Sequence, residues 1–396
     1  MTPSARVQAA IDCLDAIVHA AREGGAAADT LIARYFQTRR YAGSKDRRAV
    51  RELIYAVIRS IGERPATGRS AMLAHTRAHD PALLDLFAGD GHGPAAVVPG
   101  EPEARPGPAP AWLVERLRAR FGADTDAQLG ALLDRAPLDL RVNTLKATRD
   151  AVAAGLDADP VPLIDTALRV RGDLNVETLP AFHDGLIEVQ DAGSQFAAAA
   201  CEAKAGETVL DLCAGAGGKT LALAAAMQGE GRLIAADTDR ARLRQLEPRA
   251  VRARAAIETR LLNPGREMAA LGDLTGACDL VLVDAPCSGT GTWRRNPEAR
   301  WRLTPDRLAR FVAEQGRLLK LAAQLVRPGG RLIYVVCSLL PEEGEGVVAD
   351  FLAQTADVNP LLIRNPAGGA PVSKVILTPG TQGCDGFFLG GLTRIC

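Results

Sequence analysis

The sequence predicts an α/β protein: a doubly wound, Rossmann-like sheet preceded by an all-helical domain. Three observations carry this. First, short apolar runs at 208–212, 232–236, 257–262, 280–283 and 331–336 alternate with Ala/Leu/Arg-rich stretches. Strands separated by helices, each strand a continuous apolar run, imply a parallel sheet covered on both faces. Second, Val7, Ile11, Leu14 and Val18 repeat at steps of four, three and four, and Val50, Leu53, Ile54, Val57 and Ile58 form another apolar stripe. Both patterns are those of amphipathic helices, and they fill the first ninety residues. Third, residues 91–110 (GHGPAAVVPGEPEARPGPAP) are too dense in proline and glycine for a regular element and read as a linker. The expected organisation is a helical domain over 1–90, the linker 91–110, a small subdomain over 111–200, and a catalytic sheet domain over 201–396.

Composition narrows the function classes. A chain of 396 residues is long enough for two or three domains with at least one full-sized core. Hydrophobic residues make up 47% and charged residues 24%, ordinary values for a water-soluble globular protein. With nine Phe, four Tyr and three Trp, an extended base-stacking platform is not expected. The most apolar stretch, 332–341, is half the ~20 residues a spanning helix needs, so no membrane association is expected. Asp12 and Asp15 interrupt the N-terminal apolar stretch, which argues against a secretory leader. The eight cysteines (13, 201, 213, 278, 287, 337, 384 and 396) are scattered without a C-x-x-C pair. That pattern points to a reducing, cytoplasmic setting and away from zinc. His75 and His79 are four apart, but without a second ligand pair they read as polar residues on an exposed helix face, not metal ligands.

Lys+Arg and Asp+Glu balance at 47 each, yet the charge is not evenly spread. Residues 39–59 hold seven basic and two acidic side chains, 240–266 eight and two, and 294–317 seven and three. Arginine dominates all three clusters, and its forked guanidinium suits phosphate. Each could be a solvated helix face; together they favour a nucleic-acid partner.

The strongest local signal is the run from Asp211 to Thr220, DLCAGAGGKT, between a strand and a helix. Glycines here let backbone approach a ligand and leave helix N–H groups facing it. A Walker A loop requires glycine where Cys213 stands, and a dinucleotide fingerprint requires glycine where Thr220 stands. What remains is an acid-x-x-x-G-x-G loop of the kind that binds S-adenosylmethionine (SAM). Asp237, at the end of the next strand, is placed to hold a ribose diol. Two further strand ends carry thiols: 280–283 runs into Asp284-Ala-Pro-Cys287, and 331–336 runs into Cys337. Ligands of open α/β sheets bind beyond the carboxyl ends of the strands, so all four groups should share one edge. Cys13, Cys201, Cys278, Cys384 and Cys396 lack such a setting and read as buried small hydrophobes, Cys213 as a backbone contributor, and Met227 as core filler.

At these residues the chain resembles the RNA cytosine-5 methyltransferases of the Sun/RsmB type, the bacterial branch acting on 16S ribosomal RNA. DLCAGAGGKT is similar to that family's SAM loop, DAPCSGTG with WRRNPEARWRL to its cytosine-side motif, and VVCSLLPEEGE to its nucleophile motif. LRVN (140–143), VQDAGSQ (189–195) and DGFF (385–388) also match, so the resemblance covers about 140–396. DRRAVRELIYAVIRS is similar to part of the NusB-like RNA-binding helical domain of this branch.

The resemblance implies a class I methyltransferase sheet, SAM as cofactor and RNA as partner. It implies Cys337 as the nucleophile that adds to cytosine C6, Cys287 as the thiol assisting collapse of the adduct, and Asp284 as a contact to the cytosine edge close to SAM. Spacing alone treats the two thiols alike. The implied SAM contacts are Cys213, Ala214, Gly215, Ala216, Gly217, Gly218, Lys219, Asp237, Asn263 and Asp284. Cations of the Arg294–Arg295 region are expected to favour the thiolate. Four positions depart from the family pattern: Ala216 for proline, Val336 for threonine, Gly344 for asparagine, and Asn263 for an aspartate that contacts adenine. Two other readings stay open: an RNA-binding assembly factor without turnover, and an NTP-binding protein using Gly218-Lys219-Thr220.

Overall fold

The computed structural model describes residues 1–89 and 91–395, so Cys396 lies outside the described residues. The chain divides into two compact units, one of Met1–Arg135 with Thr292–Pro305, the other of Ala136–Gly291 with Asp306–Cys396.

The first unit contains α1 (Pro3–Glu23), α2 (Ala28–Gln37), α3 (Ser44–Ser60), α4 (Gly68–His79), α5 (Ala111–Phe121) and α6 (Thr125–Leu133). Helix α1 begins where the Thr2 side chain accepts a hydrogen bond from Ala5 N and ends at Gly24 in the left-handed conformation. The predicted stripes are the core: Val7, Ile11, Leu14, Val18, Val50, Ile54, Val57 and Ile58 are all buried. One expectation is corrected. His75 is buried rather than on an exposed face, because its ring packs under α3 with Nδ1 2.9 Å from Ser60 Oγ.

Residues 292–305, far away in sequence, supply part of this unit. Trp301 joins the helical core and donates from Nε1 to Ile61 O at 3.0 Å. The Arg300 side chain is fully buried and donates to the carbonyls of Ile58, Arg59, Ile61 and Pro297. Three of these carbonyls lie at the C-terminal end of α3, the negative end of its dipole, where backbone acceptors lack helical partners. Burial lowers the Arg300 pKa to about 9, still charged at neutral pH. Arg300→Ala should therefore destabilise the unit by about 3 kcal/mol, read as a lower urea midpoint, since it removes several charge-assisted hydrogen bonds and empties the space of a fully buried side chain.

The second unit holds two sheets. The smaller is antiparallel, with β1 (Asp139–Val142), β2 (Ala158–Pro160), β3 (Ala167–Val170) and β4 (Ile187–Val189) in the order β2-β3-β1-β4. The larger has eight strands: β5 (Thr208–Asp211), β6 (Arg232–Asp237), β7 (Glu258–Leu261), β8 (Cys278–Asp284), β9 (Val326–Val336), β10 (Val358–Pro360), β11 (Lys374–Leu377) and β12 (Phe387–Arg394). Their order is β10-β12-β9-β8-β5-β6-β7, with β11 also paired to β12. The five strands read from sequence pair in parallel, as expected of a doubly wound sheet. Successive residues enter opposite cores: Val209, Leu280, Leu282, Ile333 and Val335 on one face, Leu210, Val281, Val283, Leu332 and Tyr334 on the other. That two-sided burial is why these strands read as unbroken apolar runs.

Two features differ from the expectation. β7 is an edge strand with three of its four residues exposed, so the 257–262 run is not covered on both faces. The parallel sheet is also extended by three antiparallel strands, β10, β11 and β12. The paired glycines Gly390 and Gly391 hide β12 from any reading based on strand propensity. Packed around the sheet are α7 (Ala192–Ala199), α8 (Gly218–Ala226), α9 (Arg240–Ala253), α10 (Pro305–Leu325) and α11 (Val347–Gln354). Cys13, Cys201, Cys278 and Cys384 are buried, as is Met227 in the sheet core.

Candidate active site

Because β5, β6, β8 and β9 run parallel, their carboxyl ends bring Asp211, Asp237, Asp284 and Cys337 to one edge of the sheet. Between β5 and α8 the chain turns through Gly215 and Gly217, both with positive φ (56° and 80°). A side chain at Gly217 would collide with Leu246, and one at Gly215 with the Arg242 guanidinium. Gly215 N donates to Asp237 Oδ2 at 2.7 Å, and Asp239 N donates to Asp237 Oδ1 at 2.7 Å. The Asp237 carboxylate is thereby fixed with further lone pairs available. On its outer side the loop is tied by arginines: Arg141 donates to Gly218 O and Arg249 to Ala216 O. The second tie holds the backbone at Ala216.

Lys219 and Thr220 both face the protein. Lys219 Nζ lies 2.7 Å from Asp284 Oδ2 and 5.3 Å from the centre of the Phe387 ring. Burial alone would lower its pKa, but Asp284, Cys337 and Asp211 outweigh it and raise it, so Lys219 stays cationic. Thr220 Oγ1 donates to Asp211 Oδ2 at 2.6 Å. Burial pushes the Asp211 carboxyl up to about 7, with the Thr220 hydrogen bond acting in the opposite sense. A phosphate-cradling loop needs the lysine and the hydroxyl turned outward, and neither is.

The two thiols meet. Cys287 Sγ and Cys337 Sγ are 3.3 Å apart, and both cysteines are free and partly buried. The hydrogen bond to Cys337, then burial, pushes the Cys287 thiol well above its ordinary range, so Cys287 retains its proton through neutral pH. The two loops carrying them are joined by Glu343, which is fully buried. Its carboxylate accepts from Ser288 N at 2.8 Å and from Gln315 Nε2 at 3.0 Å, and also from the hydroxyls of Ser288 and Ser338. Thr290 Oγ1 adds a further link by accepting from Leu339 N at 2.8 Å.

A cavity of about 350 Å³ opens at this edge, lined among others by Cys213, Asp237, Leu262, Asp284, Cys287 and Cys337. Of the residues singled out from sequence it collects five; Ala214 through Lys219 form the loop behind it. Asn263 lies exposed just beyond β7 and outside the lining, where Leu262 takes its place. Cys213, partly buried against the sheet core, is among the lining residues. Arg295 lines a cavity of the first unit, while the charges acting on Cys287 are those of Cys337 and Glu343. Cys337 is one of the groups that raise the Lys219 pKa. Sequence reasoning missed Glu343 and Gln315. The acidic run after Cys337 was the available signal for the first, and nothing marked the second.

The chain is similar to known proteins over most of its length. Residues 198–393 match the family described as 16S rRNA methyltransferase RsmB/F, and residues 109–177 match the ferredoxin-like domain described as RsmF/B-like. The chain is 31% identical over 289 residues to ribosomal RNA small subunit methyltransferase B of Shewanella oneidensis, covering 72% of this chain and 67% of that one. It is 37% identical over 295 residues to the protein of the same name from Xylella fastidiosa, with the same coverage of 72% and 67%. It thus spans about two thirds of the length of these curated relatives. A methyltransferase homolog protein from Pyrococcus horikoshii is 29% identical, with a TM-score of 0.60 over 72% of this chain and 95% of that one. A doubly wound sheet with two facing thiols, and sequence identity of this extent, have one reading: the chain belongs to the RsmB/F family of 16S rRNA methyltransferases.

Proposed function

We propose that this chain methylates C5 of a cytosine in RNA, with SAM as methyl donor, and that the RNA is that of the small ribosomal subunit. The observation that carries this reading is the pair of thiols 3.3 Å apart beside a cavity that also holds Asp237 and Asp284. The substrate class follows the names of the curated relatives.

The residues present fit SAM. Asp237, fixed by two backbone N–H groups, can accept from ribose hydroxyls; Cys213 and Leu262 line the same cavity. Bound there, SAM supplies a methyl group on a sulfonium, open to attack by a carbon nucleophile. Cytosine C5 is a poor nucleophile. Addition of the Cys337 thiolate to C6, with a proton taken up at N3, makes the ring an enamine, whose C5 can take the methyl group and leave a neutral thioether; loss of the C5 proton to solvent and return of the N3 proton then expel the Cys337 thiolate from C6. Cys287, whose Sγ lies 3.3 Å from that of Cys337, gives a proton to the departing Cys337 sulfur in this release. Asp284 faces the cavity with one oxygen on Lys219 and hydrogen-bonds the cytosine edge. The target base must leave its stack to reach this depth. The first ninety residues act as the RNA-binding helical domain, and the site of action is the cytoplasm; among the described residues no helix is long and apolar enough to cross a membrane.

The test is transfer of labelled methyl from SAM to deproteinised small-subunit RNA, followed by nucleoside analysis. Label in 5-methylcytidine is the expected result. SAM binding with label in no nucleoside, from either naked RNA or assembling subunits, would overturn the reading in favour of a binding protein.

A further inference from the structure

Two sequence motifs take no part in the chemistry proposed above: LRVN at 140–143, which runs off the end of β1, and VQDAGSQ at 189–195, which begins at the last residue of β4. The two strands are paired in the small sheet, and Arg141 on β1 stands directly opposite Glu188 on β4, both of them buried. Arg141 donates to Gly218 O and to Gln190 Oε1. The Gln190 amide is oriented for this by donating from Nε2 to Ser194 Oγ at 3.1 Å. Glu188 reaches the same turn by a second route. Its Oε2 accepts from Arg249 Nη2 at 3.0 Å, and Nη1 of that guanidinium donates to Ala216 O. Its Oε1 accepts from Arg252, three residues further along α9. Burial lowers the Arg141 pKa to about 10, with Glu188 opposing the shift and Arg249 adding to it, so Arg141 stays charged at neutral pH.

A network that only welds the small sheet to its surroundings would spread its bonds over that contact. Asn143 does this, donating from Nδ2 to Gly185 O at 3.0 Å and to Ala253 O, at the end of α9, at 2.9 Å. Arg141 and Arg249 instead converge on two carbonyls that flank Gly217, which has positive φ. Peptide groups are planar, so a held carbonyl fixes the plane of its whole peptide. With glycine at 215, 217 and 218, the turn has few side chains to restrict it, and ties from outside supply the restriction. A guanidinium suits the task because its fork serves two acceptors at once.

We propose that Arg141 and Glu188 are positioning residues for the cofactor: from outside the cavity they hold the 216–218 turn in its receiving shape before SAM arrives, Arg141 directly and Glu188 through Arg249. That the ligand is SAM rests on the function proposed above. The turn is then ordered on folding rather than on binding, which raises affinity without any new contact to the ligand.

The test compares the full-length protein with Glu188→Gln, Arg249→Gln and the double variant. Neither residue lines the cavity, and Arg249 is the less buried of the two, so its variant remains informative where Glu188→Gln fails to fold. The readouts are SAM affinity by calorimetry, the urea midpoint, KM and kcat with SAM and RNA varied separately, and hydrogen exchange of the 211–220 amides without ligand. Each single variant should bind SAM about ten-fold more weakly, the loss expected when the turn holds its receiving shape about a tenth of the time. KM for SAM should rise in step, while kcat at saturating SAM and KM for RNA stay unchanged. Exchange across 211–220 should quicken. The double variant should lose no more than either single one, since both act along one route. Arg249→Lys, which keeps the charge without the fork, should not restore affinity. A lower urea midpoint with SAM affinity and loop exchange unchanged would assign the network to stability alone and overturn the proposal. Additive losses in the double variant would overturn the route through Arg249. A wild-type chain that binds SAM yet forms no 5-methylcytidine would remove the proposed reaction, while the affinity comparison still decides the positioning role; one without SAM affinity would overturn both.

Discussion

Cys287→Ala is expected to trap a covalent protein–RNA adduct that survives a denaturing gel, whereas Cys337→Ala forms none and loses methyl transfer by about three orders of magnitude or more. The asymmetry follows from the roles proposed above, since the 3.3 Å contact by itself treats the two sulfurs alike. In those roles Cys337 attacks C6, and Cys287, whose thiol the contact pushes well above the ordinary range, donates as the bond to C6 breaks. Without Cys287 the adduct can form but lacks its partner for release; without Cys337 there is nothing to release. The opposite pattern on the gel would exchange the two roles. SAM affinity of both variants, measured by calorimetry, should match the wild type, showing that the fold at the sheet edge is intact.

The second large effect is expected at Glu343, which touches neither thiol. Its carboxylate takes hydrogen bonds from the loop that follows Cys287, through Ser288, from the loop that follows Cys337, through Ser338, and from Gln315 on α10. It thereby sets the spacing of two sulfurs carried by different strand ends. Glu343→Ala strands at least the Ser288 N–H and the Gln315 amide in a buried position, at about 1–3 kcal/mol for each donor. Loss of register between the loops should lower kcat by about a hundred-fold, the scale expected for an ångström-sized displacement of reacting groups. Glu343→Gln keeps one acceptor oxygen, and the hydroxyls can rotate to accept from its amide, so it should recover much of the stability and part of the rate. Since Glu343 does not line the cavity, SAM affinity should hold in both variants. Urea denaturation and single-turnover methyl transfer measure the two effects separately. A folded Glu343→Ala protein with normal kcat would show that the thiols keep their spacing without it.

The sequence by itself determined the class of sheet and the groups at its edge. Parallel strands buried on both faces must be continuous apolar runs, and residues at their carboxyl ends must share one edge. Asp237, Asp284, Cys287 and Cys337 were thus legible as a set, and the DLCAGAGGKT turn excluded two of three ligand classes by the residues it lacks. The buried stripes of α1 and α3 were legible for the same reason, since an amphipathic period is a local property.

Long-range hydrogen bonding and packing were decided only by the tertiary structure. β12 pairs antiparallel to β9 although its glycines argue against a strand, because an edge needs a partner and register outweighs propensity. Glu343 reads as one acid among several; only the approach of two loops and α10 makes it a shared acceptor. Arg300 reads as a surface cation until the end of α3 presents it with backbone carbonyls. Local pattern fixes which face of an element is buried, whereas the partner of a polar group depends on what the fold brings within hydrogen-bonding reach.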